Sequence, residues 1–417
     1  MVHDRRDGWA ADEADDQVLG ALAGGGHAGH AHGRRPLSPG GRRIALLLLV
    51  GAAVATLVAM ALLWPNPSER EATPPGPTRL TGQVHVLEPG PCPPSEGQTA
   101  PARPDPATGC GTVLVRVHDG PDAGTLVATD VPFGPGAPTV RAGDEVVLMY
   151  LPDAEPDQRY QIADHRRDRQ LWILGVALAL AVIGFGRWRG LAALAGLAVT
   201  FTILLFFIVP AILSGRPPLL VAIVGSAAIM LTVLYLTHGF NRTTTVAVFG
   251  TLTSLVLTGV LAAIATAATH LTGIASEEET FVSATHLNVN MQGLLLAGIL
   301  IGALGVLDDV AVTQAATVDE LAQANPALGG RQLYRAAGRV GRAHIASVIN
   351  TIILAYAGAS LPLLLLFAEG GQAIGDILTN QLVAQEIVRS VVGTLGLIAA
   401  VPLTTALAAF TARVERT

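Results

Sequence analysis

Two adjacent carboxylates, Asp308 and Asp309, stand where the apolar run from Met291 to Leu307 gives way to a polar stretch ending at Arg342. Placing a charge at the centre of a bilayer costs roughly 2.5 to 3.5 kcal/mol even on the mild insertion scale, so acids attached to an apolar helix are first candidates for handling an ion or a proton. The plainer reading is that they end the span at the water interface. Gly298, Gly302, Gly305, Asp309, Thr313, Ala316 and Glu320 follow one another at steps of four and three, which puts them on one helical face. That face is a backbone-bare groove leading to an acid, and Gly298, Gly302 and Gly305 suit close helix packing. Gln314 beside Thr313, and Asn350 with Thr351 further on, extend the polar set. Asp308, Asp309, Thr313, Gln314, Asn350 and Thr351 are therefore the expected polar pathway, with the acids at its inner mouth.

The elements that must carry these residues follow from composition. The chain has 417 residues, 51% hydrophobic and only 14% charged, against about 25% charged in soluble proteins. Such a deficit belongs to a membrane protein. The net charge of −6 says little as a sum, because the charges are segregated along the chain. Residues 1–43 mix acids with Gly, Ala and His and read as a disordered arm. His27, His30 and His32 within it form a compositional tract better explained by low complexity than by a metal site. Residues 44–63 form the first apolar run of spanning length. Residues 64–79 are a Pro-rich linker, and 80–163 carry five short β-type runs bounded by turn residues. Among these, Thr112, Leu114, Arg116 and His118 alternate with Val113, Val115 and Val117, the period of a half-buried strand. The expectation is a small all-β module of the OB or sandwich kind. No aromatic platform or basic stripe follows its strands, so nucleic acid is not an expected partner.

Residues 171–410 hold seven closely spaced apolar runs, making about eight spans with the first, and 411–417 form a tail. The arginines test this topology. Arg187, Arg189, Arg242, Arg331, Arg335, Arg339, Arg342, Arg413 and Arg416 fall in segments that alternate to one side, while Arg216 alone in one loop, Glu277, Glu278 and Glu279 in another, and Glu369, Asp376 and Glu386 in the last fall to the other. The positive-inside rule makes the arginine side cytoplasmic, with both termini there and the β module outside. The stretch 308–342 reads as a cytoplasmic amphipathic segment whose basic part lies along the inner headgroups. Cys92 and Cys110, both in the external segment, favour a disulfide, which would contribute about 3 kcal/mol. Thr251, Ser254 and Thr258 on one span, and His344, Ser347 and Thr351 on another, form polar stripes that suit packing or a polar path.

The segment Gly302-Ala-Leu-Gly305-Val-Leu-Asp308-Asp309-Val-Ala-Val-Thr-Gln314, with the later Asn350-Thr351, resembles the YibE/F-like family of bacterial multi-pass membrane proteins. The likeness runs from about residue 80 to the C-terminus, and it implies location and architecture rather than a reaction. The fold class expected is thus a mostly α polytopic membrane protein with a small all-β extracytoplasmic domain between its first two spans. A transporter or permease for an ion or small solute is the first functional expectation. An assembly or sensing protein that binds a partner through its β module is the second. An enzyme is not expected: Gly305-Val-Leu-Asp308 lacks the second glycine of Gly-x-Gly-Asp, Val312 replaces the third acid of Asp-Asp-x-x-Asp, and no Walker A loop is present. No cofactor is expected. The partners implied are the bacterial plasma membrane bilayer, the transported solute and a second copy of the chain.

Overall fold

The computed structural model describes residues 39–65, 78–90, 110–134, 136–156, 158–369 and 374–414. His27, His30, His32, Cys92 and most of the Pro-rich linker lie outside them. Helix α1 (Pro39–Leu62) precedes five strands, β1 (Thr78–Pro89), β2 (Gly111–Val117), β3 (Leu126–Asp130), β4 (Glu145–Tyr150) and β5 (Tyr160–His165). These pair antiparallel in the order β3-β2-β1-β4-β5. The valine alternation explains the sheet's core: Val113, Val115 and Val117 are fully buried and meet Leu80, Val84, Val146 and Leu148. Gly82 lies in β1 at a close approach, since a Cβ there would stand 2.7 Å from Val115 Cγ1. The free edges approach each other, with Thr129 of β3 donating to the Tyr160 carbonyl of β5 at 2.5 Å. Cys110 is buried at the entry to β2.

Tyr160 donates its hydroxyl to Asp122 at 2.5 Å. Burial, reinforced by that bond and by the charge of Asp122, raises the phenol well above the ordinary tyrosine range. The folded module therefore holds this proton more tightly than the unfolded chain does. Its contribution to stability is complete below the ordinary tyrosine pKa of about 10 and disappears as pH climbs through the folded value. Denaturant titration of the full chain should show the β module weakening in strong alkali, and Tyr160→Phe should remove most of that loss.

The rest is helical. In chain order come α2 (Asp168–Ile203), a π-helical turn (Leu204–Ile208), α3 (Val209–Leu213), α4 (Pro218–His238), α5 (Arg242–Ala268), α6 (Glu277–Thr285), α7 (Met291–Ala324), α8 (Gly330–Ala359), α9 (Leu361–Glu369), α10 (Ile374–Thr379) and α11 (Gln381–Val414). Arg167 and Asp164 pair at 2.6 Å and Arg166 and Asp168 at 2.8 Å where β5 passes into α2. The π turn has a local cause, because Pro210 has no N–H to donate back along the helix.

Among the described residues, six helical segments are long and apolar enough to cross a membrane: Asp168–Leu213, Pro218–His238, Arg242–Ala268, Met291–Ala324, Gly330–Ala359 and Gln381–Ala412. The expected number was about eight. Outside these six is the apolar stretch Leu46–Leu62 of α1. The expected runs Leu171–Phe185 and Leu191–Leu213 are continuous in one 46-residue segment. That segment is not straight. Arg187 takes φ 51 and ψ −127, and a Cβ on Gly190 would stand 2.9 Å from the Val182 carbonyl carbon. Eight residues of straight helix would separate those positions by about 12 Å, so the chain turns sharply at the Arg187–Arg189 corner.

The basic stretch 331–342 also differs from the expectation of a separate segment along the headgroups. It is the first half of α8, which continues unbroken to Ala359. Leu333, Ala337, Gly341 and Ile345 recur every four residues and are buried, so this half is committed to the bundle.

Candidate functional site

Helix α7 is the centre of the bundle and touches α4, α5, α8 and α11. Its apolar face runs on past the acids through Val310, Ala311, Ala315 and Val318, all buried, and Asn325 ends it by closing on the Leu321 carbonyl at 3.1 Å. The neighbouring helices are in register with it. Glycine makes the α5–α11 approach close: Cβ atoms added at Gly250 and Gly396 would overlap Thr404 Oγ1 and Thr258 Oγ1 respectively. These two contacts set α5 and α11 antiparallel. Thr405 of α11 donates to Gln314 Oε1 of α7 at 2.9 Å, and Thr243 of α5 donates to Asp319 of α7 at 3.2 Å.

This register changes the place of the acids. Asp308 is level with Leu255 of α5 and Ala399 of α11, near the middle of each helix, and lies three turns, roughly 16 Å, in from Asp319. The expected inner mouth is thus mid-bundle. The apolar run stops at Leu307 in sequence, but the next four turns are still packed inside the bundle on one face.

The expected pathway residues do not converge. Asp308 is half-buried and its Oδ1 has no hydrogen-bond partner, whereas Asp309, about 100° around the helix, is exposed. The two carboxylates therefore do not form a chelating pair. Thr313 is half-buried. Gln314 is fully buried, and its Nε2 has no partner although Oε1 is bound by Thr405. Asn350 and Thr351 are exposed on α8, and the Thr351 hydroxyl donates to the Ser347 carbonyl at 3.2 Å. Gln314 stands five residues from Asp309, a rotation of about 140°, so one helix cannot turn both to one space.

The glycine face also departs from its expected packing role. Gly298, Gly302 and Gly305 are exposed, and a Cβ at Gly298 or Gly305 would meet nothing within 4 Å. At Gly302 it would meet only the Tyr356 hydroxyl, at 3.5 Å. The close approach occurs instead at Gly341, where a Cβ would stand 2.7 Å from both Gln314 Nε2 and Val401 Cγ1. The α5 hydroxyl stripe is interior seam. Thr251, Ser254 and Thr258 are fully buried and donate to the carbonyls four residues back at 3.0, 2.8 and 2.7 Å.

Two polar groups of the site were not anticipated. Thr404 and Thr405 are fully buried at its floor, and Thr404 Oγ1 has no partner. His344 of α8 has a buried Nε2 without a partner. Nearer the other end of the bundle, Arg389 pairs with Glu386 at 2.8 Å. Adjacent threonines in an otherwise apolar span were a readable signal for the first two, whereas His344 already stood at the head of the stripe with Ser347 and Thr351. The bundle between its middle and Asp319 thus holds a half-buried acid, a buried amide and a buried imidazole nitrogen, each with an unmatched polar atom. Water has the chemistry to satisfy all three, and a proton or small cation to satisfy the Asp308 oxygen, whereas the Gln314 amide nitrogen needs an acceptor.

A family model described as YibE/F-like protein matches residues 174–414. The match begins after the β module, which the sequence resemblance had included from about residue 80. No curated protein and no solved structure matches at a significant level.

Proposed function

The chain belongs to the YibE/F-like family, and from that premise we propose that it is an integral membrane permease for an ion or small solute, with Asp308 as its ion- or proton-responsive group. The observation that carries this reading is the Asp308 carboxylate, half-buried at mid-bundle with an oxygen that nothing satisfies. Such a group is costly in hydrocarbon, and intramembrane acids of this kind mark ion and proton pathways. The membrane is the bacterial plasma membrane, and both termini are cytoplasmic. Counting α1 and the two arms on either side of Arg187, the chain crosses eight times. The external module is a barrel of the OB kind, which the β3-β2-β1-β4-β5 order and the β3–β5 contact support. A Cys92–Cys110 disulfide closes its Pro-rich excursion, and the chain acts as a transport protein, not an enzyme.

The test is flux through proteoliposomes loaded with a pH-sensitive dye, carried out across candidate cations. Asp308→Asn should cut flux by about tenfold or more, equivalent to at least 1.4 kcal/mol on the barrier, while the exposed Asp309→Asn should stay within about twofold. Equal flux in both variants and the parent would take the acids out of the mechanism.

A second reading has its own observation. The β module carries a cleft of about 430 Å³ lined by Thr112, Asp122, Asp130, Arg159 and Tyr160, and Arg159 Nε is buried there without a partner. An assembly or sensing protein would use this cleft to bind a partner, with the spans as anchor. Deleting residues 80–163 separates the two readings: the permease keeps flux in the deleted form, and the sensor has none in either form.

A further inference from the structure

Arg331, Arg335, Arg339 and Arg342 are all exposed on α8. At 3.6 residues per turn they fall within one sector of about 80°. No acid occurs anywhere in α8, and none of the four makes a hydrogen bond or ion pair with the described residues. The Arg342 guanidinium lies along its own helix, 3.9 Å from where a Cβ on Gly338 would be. The opposite face, Leu333, Ala337, Gly341 and Ile345, is buried, so the helix cannot roll to hide the arginines.

The remainder of that sector decides the occupant. Continued along the helix, the arginine face becomes Ala346, Ile353 and Ala357, all exposed and apolar. The Gly341–Gln314 contact and the Thr243–Asp319 bond place Arg339 and Arg342 just inside the end of the bundle marked by Asp319, and Arg331 and Arg335 at it or beyond. A ladder of guanidiniums that runs straight into an apolar, unpartnered stripe matches one kind of molecule, with phosphate at one end and acyl chains at the other. A soluble anion or an acidic peptide has no use for the second half of the face.

We propose that this face of α8 is a docking surface for anionic phospholipid, with the phosphate held by Arg339 and Arg342, the acyl chain lying along Ala346 and Ile353, and Arg331 and Arg335 adding attraction to the surrounding anionic headgroups. Guanidinium suits the task because it presents several donors to a phosphate and is only weakly hydrated. The inference rests on the bilayer reading alone and is independent of any permease activity.

The full chain is placed in nanodiscs of phosphatidylcholine containing a minor fraction of phosphatidylglycerol, and co-released lipid is identified by native mass spectrometry. The parent should retain phosphatidylglycerol in excess over its share of the disc. The variant R331Q/R335Q/R339Q/R342Q should lose that enrichment by about tenfold or more, as removal of several membrane-facing cations implies. A four-lysine counterpart should keep most of it. Because the arginines are exposed, both variants should melt with the parent in phosphatidylcholine alone, and if the glutamine variant does not, the R339Q/R342Q pair carries the same comparison. Undiminished enrichment in the glutamine variants overturns the proposal. Displacement of the lipid by inorganic phosphate or glycerol phosphate also overturns it, since the acyl half of the face would then be idle. Parent and variant flux measured in the same preparations tell failure of this proposal apart from failure of the permease reading.

Discussion

Gly396→Val should cost the bundle about 3 kcal/mol and show as a fall of several degrees in the detergent melting temperature, with Gly250→Val behaving alike. The two positions are the tightest points of the α5–α11 seam. A Cβ at Gly396 would overlap Thr258 Oγ1 and stand 3.1 Å from Thr258 Cβ, and one at Gly250 would stand 2.9 Å from Thr404 Cγ2. Thr258 cannot simply swing aside, because its hydroxyl is committed to the Ser254 carbonyl at 2.7 Å and its side chain is fully buried. The helices must part or the hydroxyl must lose its acceptor inside an apolar environment, and either costs more than the glycine's helical entropy returns. Opposite behaviour is expected on α7, where Gly298→Ala and Gly305→Ala enter open space and should be neutral or stabilising by up to about 1 kcal/mol. A double-mutant cycle on Thr258→Ala and Gly396→Ala gives the pair term directly and should recover most of the loss. Independent effects at the two sites would mean that the seam is wider than this packing requires.

That contrast shows what periodicity reveals and what it hides. The spacing of Gly298, Gly302 and Gly305 correctly puts three glycines on one face, but nothing in a repeat says which neighbour, if any, comes to it. The glycines that do the close packing, Gly250, Gly341 and Gly396, are scattered singly over three helices, and each is recognisable only beside its partner threonine or glutamine. The same limit governs the acids. Continuation of α7 past Asp309 follows from its helical period, and the stop at Asn325 follows from Pro326 behind it. The depth of Asp308 does not follow, because it depends on how far α5 and α11 extend beside it. A rotation of about 140° from Asp309 to Gln314, by contrast, was already contained in the sequence, and it excludes a single lumen formed by both from α7 alone. The β module was more legible: alternation in Val113, Val115 and Val117 specifies a buried face outright, since a period of two leaves no other choice.

Gln314→Met should leave the protein as stable as the parent, or more so, and yet, on the proposed permease reading, abolish most of its flux. The two halves of the expectation have separate physical grounds. Methionine keeps the unbranched length that fits over Gly341 and fills a buried site without a polar group. Losing the 2.9 Å bond from Thr405 costs about 1 kcal/mol at most, and Thr405 can recover it by donating to the carbonyl four residues back, as Thr251, Ser254 and Thr258 already do. Against that loss stands the removal of a buried amide nitrogen that has no acceptor, a liability worth about 1 to 3 kcal/mol. A residue kept only for stability would therefore have been better as methionine. Gln314 earns its place if its free N–H meets an oxygen that arrives during transport, whether on a water, a solute or the Asp308 side of a rearranged bundle. Flux in proteoliposomes should then drop by about tenfold or more, the equivalent of one charge-assisted or well-placed hydrogen bond at the rate-limiting step, while the melting temperature holds. Gln314→Ala would confuse the two effects by leaving a cavity, so methionine is the discriminating choice. Parental flux in the methionine variant would assign Gln314 to architecture and leave Asp308 as the sole candidate on α7.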